Sequence, residues 1–83
     1  MTETLLKRYL NADPNILGGK VVFRGTRIPV YAVLELLESG VSPKEILSQD
    51  YYPRLTLRHV QAALNYASRL LRQEETHIFV RTA

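Results

Sequence analysis

The chain has 83 residues, a hydrophobic fraction of 46% and a net charge of +3, and it contains no cysteine. This length suits a single domain over residues 1–83. Because the chain lacks cysteine, it can form neither disulfides nor thiolate zinc sites that would stabilise so small a fold. We therefore expect a homodimer, in which self-association buries additional surface. No apolar run approaches the roughly 20 residues of a membrane span and residues 1–5 lack an export signal, so we expect a cytoplasmic protein with no membrane partner.

Basic charge is concentrated at the two ends of the chain. Residues 1–31 hold five basic and two acidic side chains, and residues 54–83 hold the same numbers. Residues 32–53 hold one basic and four acidic side chains. A mild basic bias of this kind is compatible with nucleic-acid binding but does not require it.

The first 29 residues predict a short helix and a β-hairpin. Residues 4–11 carry helically spaced leucines and a tyrosine within a lead-in of residues 1–14, and Asp13-Pro14-Asn15 ends the helix. In the hairpin region, residues 15–29, Ile16-Leu17 and Val21-Val22-Phe23 flank Gly18-Gly19-Lys20, and paired glycines are typical of tight hairpin turns.

Residues 30–74 predict three helices, which makes the chain mainly α with a helix-turn-helix core. The first helix begins at Val30 and ends at Gly40, and the second begins with the capping box of residues 42–45. The third begins after a Thr56 cap, with Leu55 and Val60 as a hydrophobic staple, and runs to about Glu74. Residues 75–83 then predict a short strand or an extended arm.

The third helix predicts an apolar face and a polar face. The apolar face comprises Leu57, Val60, Ala63, Leu64, Ala67, Leu70 and Leu71, and the polar face comprises Arg58, Gln61, Asn65, Arg69 and Arg72. Arginine pairs with guanine, and glutamine or asparagine with adenine, so Arg58, Gln61 and Asn65 are candidate base readers in a major groove. An ordinary solvated helix face is about equally compatible with each of these residues.

The start of this helix also exposes backbone amides that suit a phosphate, with His59 and Arg54 as helpers. The complete set of candidate DNA-binding residues is Arg54, Thr56, Arg58, His59, Gln61, Asn65 and Arg69. Arg72 is more simply interpreted as a solvated arginine.

The hairpin region is basic, with Lys20, Arg24 and Arg27. Such a hairpin can clamp a DNA backbone or form the edge on which two copies pair, and we favour pairing, with one arginine hydrogen-bonded to the turn. The residues Arg24, Gly25, Thr26 and Arg27 are assigned to dimerisation or to the fold.

Nothing in the sequence predicts an enzyme, a cofactor or a metal site. The two histidines lie eighteen residues apart, no serine lies in a nucleophile-elbow or phosphate-loop context, and the acidic residues are mostly in the middle segment. A metal-dependent nuclease needs a cluster of acids from several elements.

The stretch Gly-Lys-Val-Val-Phe-Arg-Gly-Thr-Arg-Ile-Pro-Val at residues 19–30 resembles the signature of the bacterial domain-of-unknown-function family 433. Residues 36–47 and 52–56 resemble the second block of that family. The resemblance implies a homeodomain-like three-helix core and, for many members, a VapB-type antitoxin encoded beside a PIN-like ribonuclease toxin. Such antitoxins bind both the toxin and their own operator.

The resulting hypothesis is a type II antitoxin that binds operator DNA through the third helix. Ile78, Phe79 and Val80 are candidate toxin-binding residues, added to the toxin as a strand, although the same arm could pack on its own domain. The alternative is a structured-RNA or ribosome-associated module without a toxin partner, because modest basic charge does not distinguish DNA from RNA.

Overall fold

The computed structural model describes residues 3–74. In chain order, its elements are α1 (Glu3–Tyr9), β1 (Leu10–Ala12), β2 (Val21–Phe23), α2 (Val30–Glu38), α3 (Pro43–Ile46) and α4 (Leu57–Glu74). The protein is therefore mainly helical with a small two-stranded antiparallel sheet, as the sequence predicts in outline. The expected C-terminal strand or arm, with Ile78, Phe79 and Val80, lies outside the described residues.

The hydrophobic core receives side chains from both ends of the described chain. Its buried members are Leu6, Leu10, Phe23, Val30, Val33, Ile46, Leu55, Val60, Ala62 and Ala63. Phe23 of β2 is fully buried together with Val33 of α2 and Ile46 of α3. The lead-in segment and the sheet are thus part of the same core as the three helices of residues 30–74.

The predicted pairing of the hairpin was wrong. Val21–Phe23 pairs with Leu10–Ala12, in the register Leu10 with Phe23 and Ala12 with Val21, and not with Ile16-Leu17. Leu10 and Asn11, predicted as helical, therefore belong to a strand. Ile16 and Leu17 lie in the connection, where Gly18 and Gly19 have φ of +66° and +88° and form a short 3₁₀ turn instead of a two-residue hairpin turn.

The outer edge of β2 is occupied as well. The Phe23 amide donates to the Ile28 carbonyl at 2.9 Å, and Val22 forms an antiparallel bridge with Pro29. At Val22 and Phe23 the strand therefore has neighbours on both sides, because β1 covers the other edge. The β2 edge, which is part of the hairpin that we favoured for pairing two copies, is already used within one chain.

The two middle helices begin and end as their local signals predict. Gly40, with φ +93°, follows α2, and the Ser42 hydroxyl accepts a 3.2 Å hydrogen bond from the Glu45 amide at the start of α3. Pro43 occupies the first turn of α3, where its missing N–H costs nothing. These caps orient α3 between α2 and α4, and both helices contact it.

Helix α4 has the predicted extent, but its buried side differs from the predicted one. Val60 and Ala63 are buried as expected, whereas four leucines of the predicted apolar face are 42–67% exposed: Leu57, Leu64, Leu70 and Leu71. Ala62 is fully buried and Tyr66 is half-buried instead. The buried face is rotated because both α1 and α2 pack on α4. The contact between α1 and α4 was not predicted from the sequence. None of the helices within residues 3–74 is long and apolar enough to cross a bilayer.

Candidate nucleic-acid interface

The His59 side chain caps the start of α4 by contacting the backbone and the side chain of Thr56. The Thr56 amide donates to Nδ1 of His59 at 2.9 Å, and the Thr56 hydroxyl lies at the same distance from that nitrogen. A backbone N–H can only donate, so Nδ1 is an acceptor and the neutral ring carries its proton on Nε2. Thr56 thus precedes the helix as predicted, while His59 takes the place that glutamate or glutamine has in a capping box.

His59 also connects α4 to the N-terminal part of the chain. Its ring makes edge-on contacts with Tyr9 of α1 and Phe23 of β2, at centroid distances of 5.0 and 5.7 Å. Burial among these rings lowers the pKa of His59 below its ordinary value of 6.5. At neutral pH the ring is therefore uncharged and held by the protein, which favours a structural role over the predicted role beside a phosphate.

Arg24 performs a structural task. Its Nε donates to the Lys7 carbonyl at 2.8 Å and its second guanidinium nitrogen, Nη2, to the Leu10 carbonyl at 3.1 Å, while its own amide donates to the Tyr9 carbonyl at 2.8 Å. The Lys7 and Tyr9 carbonyls lie in the last turn of α1, where carbonyls have no partner within the helix, and Leu10 is the first residue of β1. The sequence left dimerisation and the fold as possible roles for residues 24–27. These hydrogen bonds give Arg24 a role in the fold.

Gly25 and Thr26 shape the turn between β2 and Pro29. Gly25 has φ +79°, a conformation that a side chain disfavours, and the Thr26 amide donates to the Phe23 carbonyl at 3.0 Å. The Thr26 hydroxyl donates to that same carbonyl at 2.7 Å and accepts from the Ile28 amide at 3.0 Å. The turn is thus internally hydrogen-bonded and leaves Arg27 exposed.

Arg27 and Arg54 line the same open cavity, although they lie 27 residues apart. The cavity has a volume of about 490 Å³, and its lining residues are Ile16, Gly25, Thr26, Arg27, Ile28 and Arg54. Both arginines are exposed, and neither has a hydrogen-bond or carboxylate partner among residues 3–74. From the sequence alone, Arg54 is assigned to DNA and Arg27 to dimerisation or the fold, because nothing in their spacing shows that they lie close together.

We use the term arginine face for the polar face of α4, which comprises Arg58, Gln61, Asn65, Arg69 and Arg72. Arg58 and Gln61 are exposed and have no partner in the described part of the chain. Asn65 and Arg69 are only half exposed, and Nε of Arg69 donates to Oδ1 of Asn65 at 3.2 Å. The N-terminal part of this face is therefore free for a ligand, whereas Asn65 and Arg69 already bind each other.

Acidic side chains lie elsewhere on the surface. Glu35 and Glu38 are exposed on α2, Glu45 on α3, and Asp50 in the loop that follows α3. The basic side chain of Lys20 lies over the Tyr31 ring, with Nζ 5.6 Å from the ring centroid. Among the residues that the structure describes, no group of three His, Cys, Asp or Glu side chains is arranged to hold a metal ion.

These features define a small, mainly helical protein with a two-stranded sheet and a long last helix that carries an exposed basic face. Residues 10–67 match the family described as "Protein of unknown function (DUF433)". The chain belongs to the DUF433 family.

Two relatives agree with this membership. The crystal structure of a DUF433 member protein from Anabaena variabilis ATCC 29413 matches with a TM-score of 0.71 at 31% identity, over 84% of this chain and 67% of that one. The uncharacterized protein y4eO of Sinorhizobium fredii (strain NBRC 101917 / NGR234) is 36% identical over 61 residues, 74% of this chain. The chain spans only 27% of the length of y4eO.

Proposed function

We propose that the chain is the antitoxin of a type II toxin-antitoxin system, and that it binds its own operator through the N-terminal half of α4. In this proposal α2, α3 and α4 form a homeodomain-like core. Helix α4 then has the place of the recognition helix, which enters the major groove.

The observation that carries the DNA-binding part is the set of free guanidinium groups around the start of α4. Arg27, Arg54 and Arg58 are all exposed without a partner in the described chain, while four of the eight acids lie on α2, on α3 and just after α3. Phosphate contacts from arginine supply much of the affinity of a protein for duplex DNA. The pair Arg27 and Arg54 is suited to the phosphate backbone, because both line one cavity and Arg54 lies three residues before α4.

Sequence recognition is assigned to Arg58 and Gln61. Both side chains are exposed in the first turns of α4, and their types can form bidentate contacts with guanine and adenine, respectively. Asn65 contributes less in this proposal, because its carbonyl oxygen already accepts from Arg69. His59 acts indirectly by fixing the first turn, since its Nδ1 accepts from the Thr56 amide.

Equilibrium binding of a labelled duplex from the region upstream of the reading frame tests this assignment. The replacements Arg58→Ala and Gln61→Ala are each expected to cost about 1–3 kcal/mol for a lost base contact, and the loss should be smaller on a shuffled duplex. Lys44→Ala is the matched control, because Lys44 is an exposed cation within the acidic segment. Wild-type affinity of both α4 variants would contradict the proposed recognition helix, and preference for RNA of the same sequence would favour the RNA-binding alternative.

The toxin-binding part of the proposal rests on the family resemblance and on the apolar residues Ile78, Phe79 and Val80, with a PIN-like ribonuclease as the partner. Expression of the chain shortened to residues 1–75 together with such a nuclease from the neighbouring reading frame tests it. The shortened chain should bind the operator but fail to neutralise the nuclease. Full neutralisation by the shortened chain would remove these residues from the toxin interface.

A further inference from the structure

Three tyrosines meet in one cavity that lies away from the start of α4. Tyr31 of α2 and Tyr51 and Tyr52, in the loop that follows α3, line an open cavity of about 440 Å³. Tyr31 is 49% and Tyr51 39% exposed, and the hydroxyl groups of all three have no hydrogen-bond partner within residues 3–74. We call this site the tyrosine cavity. Tyrosine is enriched where protein interfaces gain most of their binding energy, so such a cluster indicates a binding surface.

The charge around the tyrosine cavity is negative. Glu35 lines the cavity, Glu38 follows three residues further along α2, and Asp50 directly precedes Tyr51. All three carboxylates are exposed, and none has a cationic partner within residues 3–74. None of the described residues that line the cavity is basic. Aromatic rings therefore lie beside negative charge that the described chain leaves unpaired.

The end of α2 adds to this negative potential. Glu35 and Glu38 lie in the last turn of α2, which carries no basic side chain. The unpaired carbonyls at the C-terminal end of a helix act as a partial negative charge, which cations stabilise and carboxylates do not. This end of α2 therefore gains from a cation that its own last turn does not provide.

One tyrosine of the cavity already contacts a cation from another side. Nζ of Lys20 lies 5.6 Å from the centroid of the Tyr31 ring, within the range of a cation–π contact. Lys20 does not line the tyrosine cavity but a different one, which Tyr31 also borders. The rings of Tyr51 and Tyr52 have no such contact within the described chain. These two rings are therefore available to a cation that enters the tyrosine cavity.

We infer that the tyrosine cavity binds an arginine-rich segment of a partner protein, with a guanidinium group stacked on Tyr51 and paired with Glu35. Arginine fits better than lysine, because its planar group stacks on an aromatic face and pairs with a carboxylate through two donors. The opposite charges of the two surfaces steer the association, and salt should weaken it.

A second copy of this chain is the poorer occupant. Its free arginines lie around the start of α4, on a different surface from the cavity, and such a head-to-tail contact gives rings or open chains instead of a closed dimer. None of the residues that the proposed function assigns to DNA lines the tyrosine cavity. The inference therefore does not depend on operator binding, and the two can fail separately.

Titration of the ¹⁵N-labelled full chain with a capped peptide of four arginines, followed by NMR, tests the site. The amide signals of residues 31–39 and 50–52 should shift most. A peptide of four lysines should bind more weakly, and a peptide of four citrullines, which keep the shape without the charge, should not bind. Equal binding of the arginine and lysine peptides, or largest shifts outside these two segments, would overturn the inference.

Two substitutions separate the contribution of the ring from that of the charge. Tyr51→Leu removes the ring and Glu35→Gln removes the charge, and each should weaken binding of the arginine peptide by about 2- to 5-fold. Glu45→Gln is the matched control, because Glu45 is an exposed carboxylate of the same acidic segment that does not line the cavity. It should change the affinity by less than about 1.5-fold.

The variants also define the results that count against the site. Wild-type affinity of Tyr51→Leu and Glu35→Gln, each with an unchanged circular dichroism spectrum, would contradict the inference. A loss in Glu45→Gln equal to that in Glu35→Gln would contradict it as well, because the peptide would then respond only to the overall charge. If Tyr51→Leu fails to fold, the comparison of the two glutamine variants decides.

Discussion

Two arginines three positions apart in one turn have different environments and different expected tasks. Arg24 donates to the carbonyls of Lys7 in α1 and Leu10 in β1, so its guanidinium is used within the fold. Arg27 has no partner in residues 3–74 and lines the cavity that it shares with Arg54. The two residues have the same charge, so only the three-dimensional structure distinguishes their roles.

Replacement of Arg24 should lower stability, whereas replacement of Arg27 should not. Arg24→Ala leaves the Lys7 and Leu10 carbonyls without their donor and should reduce the free energy of unfolding by about 1–3 kcal/mol. Arg24→Lys should recover only part of this, because an ammonium group lacks the planar fork of donors. Arg27→Ala is the control and should stay within about 0.5 kcal/mol of wild type in urea unfolding. Equal losses for both alanine variants would contradict the structural role of Arg24.

His59 should make stability depend on pH. Its pKa is lowered in the folded state by burial, so the unfolded chain binds more protons just below neutral pH. The free energy of unfolding should therefore be highest above pH 6.5 and fall as the pH decreases from 7.5 to 5.5. The replacement His59→Gln keeps an acceptor for the Thr56 amide without a titrating group, and it should flatten this dependence.

The other histidine supplies the control for this pH experiment. His77→Gln changes a residue outside the described chain and should leave the pH dependence as in the wild type. A flat profile for His77→Gln together with a steep one for His59→Gln would reverse the assignment.

At the scale of elements, the helices with local signals are the ones that the sequence predicts well. Gly40 and the Ser42-Pro43 start act within a few residues, so the ends of α2 and α3 follow from short segments. Strand β1 was missed because Leu10 continues the apolar spacing of α1, and its pairing with β2 depends on a contact distant in sequence. The exposure of Arg58 and Gln61 was predictable from helical periodicity, whereas the proximity of Arg27 to Arg54 was not.

The rotated buried face of α4 leads to a prediction about alanine. Ala62 belongs to neither of the two faces predicted for this helix, and it is fully buried in the structure. The larger side chain in Ala62→Leu should therefore destabilise the protein by about 1–3 kcal/mol through overpacking. Gln73→Leu on the exposed part of the same helix is the control and should change the unfolding free energy by less than about 0.5 kcal/mol. A stabilised Ala62→Leu protein would contradict the close packing around Ala62.

At the scale of the whole molecule, the charge pattern of the sequence becomes a division of the surface. The acidic segment forms α2, α3 and the loop after α3, while basic side chains without partners surround the start of α4. An approaching polyanion is therefore attracted to one region and repelled by another. For the proposed binding to DNA, this division would turn the start of α4 toward the duplex and the acidic side away from it.

The most direct test of the central claim is to follow the backbone amide signals of the ¹⁵N-labelled full-length protein by NMR during titration with the upstream duplex. The account predicts that the largest shifts arise at residues 57–61, Arg27 and Arg54, and that signals of α3 change little. Shifts concentrated on α1 or α3, with the start of α4 unaffected, would contradict the claim that this part of the surface binds nucleic acid.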